Sequence, residues 1–269
     1  MPVTAVHVYR ATAASPAKPL LLYLPGMDGT GQLFYRQSPT LTPYFEIGCL
    51  GLPPQARWGW TELTQQALSS LQAELAPQKR PIWLCGESFG ACLALNMAIT
   101  APQLIRRLIL INPASCFYQQ SSLHMAASLV DYFPDWLQRQ ACWGLLPLLA
   151  ELNRVRAGDR RALIAAMQSV PAATVSKRLE LLSQFTASVA QLRQVSQPTL
   201  LIAGARDRLL PSVTEAHRLA QVLPDARIAI RPESGHACLL EYDWRLSEVL
   251  AARNFLPTPT VSTTASTLA

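Results

Sequence analysis

Charged side chains are scarce in this chain of 269 residues: Asp, Glu, Lys and Arg together make up 15% of it. The balance is basic, at +6, but no run of five like charges occurs, and the arginines come in short pairs such as Arg106-Arg107 and Arg160-Arg161. Basic residues do not alternate with aromatics, so nucleic acid is excluded as the expected partner. No cysteine stands in a CxxC pair or at zinc-ligand spacing. Cys49, Cys85, Cys92, Cys116, Cys142 and Cys238 read as small core residues, several of them in apolar runs, rather than as disulfides or metal ligands. No basic-then-apolar leader opens the sequence MPVTAVHVYR, and a reducing, cytoplasmic setting is expected. Residues 81–100 carry one charge, Glu87, but Gly86 and Gly90 divide that stretch into a strand and a helix, so it is not read as a membrane span. No metal or cofactor is expected.

Half of the residues are hydrophobic, enough for one sizeable core. The runs LLLYL (20–24), IWLC (82–85), LILI (108–111) and TLLIAG (199–204) are continuously apolar, as strands buried on both faces of a parallel sheet are. IGCL (47–50) and RIAI (227–230) join them, and VHVYR (6–10) alternates. Helical stretches fall between, over 61–75, 88–100, 212–222 and 239–253. The repeat of strand and helix predicts an α/β fold with a mostly parallel central sheet flanked by helices. Residues 113–197 break the rhythm. They read as a helical cap inserted into a core made of 1–112 and 198–256, with Pro134, Pro147, Gly158 and Pro171 as breaks. The cap holds seven aromatics (Phe117, Tyr118, Tyr132, Phe133, Trp136, Trp143 and Phe185) and the uncharged stretch ACWGLLPLLA (141–150). These side chains either pack the cap on the core or line an apolar pocket, and contact with a bilayer is a further option. The uncharged tail 257–269 is expected to be disordered.

Chemistry enters at WLCGESFGACLAL (83–95), where Ser88 stands between Gly86 and Gly90 as an apolar strand gives way to a helix. Gly-x-Ser-x-Gly in that context is a nucleophile elbow, a tight turn that presents the hydroxyl above the carboxyl edge of the sheet. A serine hydroxyl needs a base, and the base an orienting acid. His236, in the loop PESGHACLLEY, follows a strand and is the base; His7, His124 and His217 lie in a strand, in the cap and within a helix. Asp207, just past TLLIAG, is the acid, with Asp225 and Glu233 as fallbacks. All three site residues fall at carboxyl ends of strands, where open α/β sheets bind ligands. The oxyanion hole is assigned to two backbone N–H groups, that of Phe89 after the nucleophile and that of Met27 in the loop LYLPGMDGTG (22–31). A phosphate cradle is excluded in that loop because no Gly-Lys-Ser/Thr follows.

On these residues the chain resembles the α/β-hydrolase superfamily up to about residue 255. LPGMDGTG, CLGLP, RPIWLCGESFGACLAL and LILINPAS are similar to the hydrolase-like module of the plant and cyanobacterial phytyl ester synthase/diacylglycerol acyltransferase family. That resemblance implies fatty acyl transfer onto phytol or diacylglycerol and a place at a photosynthetic membrane. The longer plant members also carry a segment with an HxxxxD motif. Here no histidine is followed by Asp at that spacing, and the nearest approach, HACLLE, ends in Glu241. The first expectation is therefore a serine hydrolase acting on a small lipophilic ester or thioester. Acyl transfer is the alternative, and a non-catalytic binding protein on the same fold is the alternative of another class.

Overall fold

The computed structural model describes residues 5–11, 15, 17–76, 80–119 and 135–257, with only the backbone of 135–139. Among these, seven strands form one sheet: β1 (His7–Arg10), β2 (Leu20–Leu24), β3 (Glu46–Gly51), β4 (Ile82–Glu87), β5 (Arg107–Ile111), β6 (Thr199–Gly204) and β7 (Ala226–Arg231). Their order is β1-β3-β2-β4-β5-β6-β7, and only β1 runs antiparallel. The apolar runs become the central strands because both of their faces are covered. On one face Leu20, Leu22, Leu84 and Leu110 pack under helices α2 (Trp60–Leu75) and α3 (Phe89–Thr100). On the other, Leu21, Tyr23, Trp83 and Ile109 meet Leu246 and Leu250. Leu246 and Leu250 belong to the C-terminal helix, Leu246–Ala252. Period-two alternation thus gives two cores from one uninterrupted hydrophobic string.

A short helix α1 (Ser38–Leu41) precedes β3. Between β5 and β6 the described chain is helical: a 3-10 segment (Ala114–Gln119), then α4 (Asp135–Leu149), α5 (Ala157–Gln168), α6 (Ala172–Gln184) and α7 (Val189–Arg193). Leu146, Ala150, Val155, Leu163 and Ile164 make a small core of their own with Leu240. Helix α8 (Ser212–Ala220) and helix α9 (Leu246–Ala252) complete the core layers. The sequence predicts helix from 239 to 253, but the chain there forms a 3-10 turn (Cys238–Leu240) and enters α9 only at Leu246. The intervening residues pair instead with the segment between α4 and α5. Glu241 bridges Val155, and the Tyr242 N–H donates to Arg154 O at 2.9 Å. His124, Tyr132, Phe133 and the tail 258–269 lie outside the described residues, as does the Trp136 side chain. The cysteines form no disulfide, and five of the six are buried.

The strand order reverses between β2 and β4, since β3 lies on one side of this pair and β5 on the other. A crevice opens at such a switch point, at the carboxyl ends of the strands. The loop after β2 and the turn after β4 both open there, in register through Leu24 and Gly86.

Candidate active site

Ser88 occupies the turn between β4 and α3 with φ 53° and ψ −114°, a conformation that non-glycine residues rarely adopt. Its N–H donates to Ile111 O at 2.9 Å, which ties the turn to the neighbouring strand. Both flanking glycines are required by backbone contact. A Cβ on Gly86 would lie 2.4 Å from Gly90 O, and one on Gly90 would lie 2.2 Å from Leu24 O.

The structure brings Ser88, His236 and Asp207 together although 148 positions separate the first two. His236 Nε2 is 2.9 Å from Ser88 Oγ, and Nδ1 is 2.7 Å from Asp207 Oδ2. The acid is itself held: its Oδ1 accepts from the N–H groups of Leu209 and Leu210 at 2.9 and 3.0 Å, and its Oδ2 accepts from Ser212 Oγ at 2.5 Å. It therefore braces the approach to α8 and orients the imidazole at the same time. Burial alone would raise the Asp207 carboxyl, but the His236 charge and this set of donors overcome it and hold the group below its ordinary value. Burial would likewise depress the His236 ring. The Asp207 charge and hydrogen bond, with Glu87 behind them, outweigh it and raise the ring above 6.5.

The remaining titratable candidates are not part of this relay. Glu233 pairs with Arg206, and Asp225 sits before β7, where its carbonyl accepts from Thr199 N–H. His7 and His217 are exposed. The HACLLE stretch does not act as a His–carboxylate pair. Glu241 accepts instead from Gly235 N–H (2.9 Å), Ser234 Oγ (2.7 Å) and Arg154 Nε (3.0 Å), bracing the loop that carries His236.

The Met27 turn and Phe89 both adjoin Ser88. Gly29 N–H donates to Gly26 O at 3.0 Å, closing a four-residue turn with Met27 in its second position, and Asp28 Oδ2 accepts from Thr30 N–H at 2.8 Å. A Cβ on Gly26 would be 3.8 Å from Ser88 Cβ, so the turn lies against the elbow. Phe89 is the first residue of α3, where a backbone N–H has no partner within the helix. Among the described residues no backbone acceptor takes the N–H of Met27 or Phe89. No group of three His, Cys, Asp or Glu side chains among them is arranged to hold a metal ion.

Two residues at the site escape a reading of the sequence. Asn112, fully buried with φ 42°, donates through Nδ2 to His236 O (2.6 Å) and Gly235 O (3.2 Å), and its Oδ1 accepts from Gly204 N–H (2.8 Å). One amide thus fastens the ends of β5 and β6 to the histidine loop. Its only signal is an Asn directly after the run LILI, where a left-handed residue is tolerated. Glu87 is the other. Burial pushes its carboxyl up to about 7, against the pull of the Tyr23 hydroxyl that donates to it and of the His236 charge.

Residues 21–246 match the Alpha/beta hydrolase family. The chain is 30% identical over 247 residues to phytyl ester synthase 1, chloroplastic, of Arabidopsis thaliana, covering 83% of this chain but only 35% of that protein's length. It is 31% identical to the pimeloyl-[acyl-carrier protein] methyl ester esterase of Aromatoleum aromaticum, over 75% of this chain and 86% of the relative. Among solved structures it resembles MenH from S. aureus with a TM-score of 0.75 at 18% identity, over 93% and 97% of the two chains.

Proposed function

Because the chain belongs to the alpha/beta hydrolase family, we propose that it is a serine hydrolase that cleaves a lipophilic carboxylic ester or thioester through an acyl-enzyme on Ser88. The observation that carries this is the unbroken chain of contacts from Ser88 Oγ through both His236 nitrogens to Asp207. His236 takes the Ser88 proton as Oγ adds to the acyl carbonyl, and Asp207 stabilises the imidazolium that results. The N–H groups of Met27 and Phe89 receive the oxyanion. Collapse of the tetrahedral adduct expels the alcohol or thiol, which leaves with the proton from His236. Water then repeats the sequence and releases the acid.

A lipophilic acyl group is supported by the apolar surroundings of the oxyanion turn. Met27 packs against the main core, and Trp60 stacks on Phe89 at 5.0 Å and meets Phe185 edge-on at 5.3 Å. Acyl transfer to an alcohol is the second reading, favoured by the similarity to a phytyl ester synthase. It shares every step up to the acyl-enzyme. Peripheral contact with a lipid surface is supported by α4, which exposes Trp143 (51%), Leu145 and Leu148, while no helix among the described residues is long and apolar enough to cross a membrane. The deciding test supplies p-nitrophenyl esters of increasing acyl length, with and without phytol, to wild type and Ser88→Ala, and measures free acid and phytyl ester separately. Serine-dependent free acid is expected. Phytyl ester formed at its expense would favour transfer, and no serine-dependent product would remove both readings.

A further inference from the structure

Arg178 is a charge from the cap buried in the core. It stands within α6 and is 3% exposed. Its Nη1 donates to Met27 O at 2.5 Å. Gly29 makes the room: a Cβ there would lie 2.7 Å from Nη1 and 2.8 Å from Nη2. Among the described residues no carboxylate pairs with the guanidinium. Burial depresses it to about 10, opposed by the charge of Asp28, and it stays protonated at neutral pH. The Asp28 carboxylate is itself engaged by Thr30. Burying a cation so weakly compensated is unfavourable, and Met or Leu would fill the same space without that cost. Packing alone therefore does not account for the residue.

Helix α6 makes a second contact of the same kind. Trp60 Nε1 donates to Leu181 O at 2.7 Å, and the Trp60 ring lies on Phe89. One cap helix thus touches Met27 directly and Phe89 by way of Trp60. We propose that Arg178 is a positioning residue for the oxyanion hole: its guanidinium fixes the Met27 turn so that the Met27 N–H faces the acyl oxygen, and it sets a fixed positive charge beside the charge that develops there. The inference rests on the reading of Ser88 as nucleophile. It makes the cap part of the catalytic apparatus and not only a cover for the substrate. Because the donor must be in place before the oxyanion forms, a displaced Arg178 slows the chemical step more than it weakens ester binding.

The test compares wild type, Arg178→Lys, Arg178→Met and Arg178→Ala as full-length proteins, with thermal melting as the control for folding. Exhaustive fluorophosphonate labelling first counts competent serines. Arg178→Met is expected to lower kcat by about tenfold or more with KM within about threefold. Affinity for a trifluoromethyl ketone, which presents a tetrahedral oxyanion, should fall in parallel with kcat/KM. Arg178→Lys, or ethylguanidinium added to Arg178→Ala, should restore part of the rate. A kcat for Arg178→Met within twofold of wild type overturns the proposal. So does a rise in KM alone, which would assign Arg178 to ground-state binding. Loss of rate in step with loss of folded protein, with ketone affinity of the folded fraction unchanged, overturns it as well. An unlabelled serine in folded wild type removes the serine mechanism itself, a failure visible before any Arg178 variant is compared.

Discussion

The elbow at Ser88 and the loops that carry Met27 and His236 stand side by side, yet they are held in opposite ways. At the elbow, backbone meets backbone: Gly86 against Gly90, Gly90 against Leu24 and Pro25, and Ser88 N–H on Ile111 O. No side chain intervenes that could relax. Around the other two loops, side chains and cap segments do the holding. Arg178 reaches the Met27 turn, and Asn112 and Glu241 fasten the histidine loop. Ala237 N–H donates to Leu149 O at 2.7 Å, at the last residue of α4. Ser88 is therefore held by the sheet, whereas His236 and Met27 lean partly on the helices between β5 and β6. Changes in the cap should alter catalysis while the elbow stays intact.

The sharpest contrast lies within the elbow itself. Ser88→Ala should lower kcat/KM by about 10⁴-fold or more while the melting midpoint stays near that of wild type. Gly90→Ala should do the reverse in kind. With a Cβ 2.2 Å from a carbonyl oxygen on a central strand, stability should drop by about 3 kcal/mol or more, read as insoluble or early-melting protein. A well-folded, active Gly90→Ala would mean that the elbow can yield, and the contrast would lose its basis.

Next in size come two substitutions that divide the histidine loop between sheet and cap. Asn112→Ala leaves the carbonyls of Gly235 and His236 and the N–H of Gly204 without their buried partner, which should cost about 2–4 kcal/mol in chemical denaturation and slow turnover as well. Arg154→Met removes a partly exposed partner from Glu241, which keeps Ser234 and Gly235, so about 1 kcal/mol or less is expected. If Arg154→Met proved the more damaging of the two, the loop would hang from the cap and not from the sheet.

The sequence is most legible where one residue's chemistry or one strand's periodicity decides the outcome. The central strands are visible because burial on both faces demands unbroken apolar runs, and Ser88 because its glycines are forced by contact. Asp207 and His236 follow from their places after strands. What stays hidden depends on partners distant in the chain. Residues 241–245 have a helical pattern, but pairing with Arg154 and Val155 overrides it. Asn112 acts through an amide whose partners lie 92 to 126 positions away. Arg178 looks like any exposed arginine on an amphipathic helix until Gly29, 149 positions earlier, is seen to have left space for it.

The smallest expected effect concerns pH and tests whether the elbow and the histidine loop are electrically joined. Glu87 ends β4 next to Ser88, accepts from the Tyr23 hydroxyl, and helps to raise the His236 ring above 6.5. His236 must be neutral to act as base, so the acid limb of kcat/KM should lie above pH 6.5 in wild type. Glu87→Gln removes the charge that this carboxyl acquires as it ionises near 7, which favours the proton on the ring, while Asp207 stays in place. The limb should therefore move to lower pH, with little change at the plateau. Stability supplies an independent sign. The buried carboxyl titrates near 7 in the folded protein against an ordinary value of 4.5, so its favourable contribution is full below about 4.5 and is lost as pH rises through 7. Wild type should lose melting temperature relative to Glu87→Gln across that window. A limb that stays put while the melting difference appears would mean that Glu87 is a buried acid of the elbow alone, without influence on the base across from it.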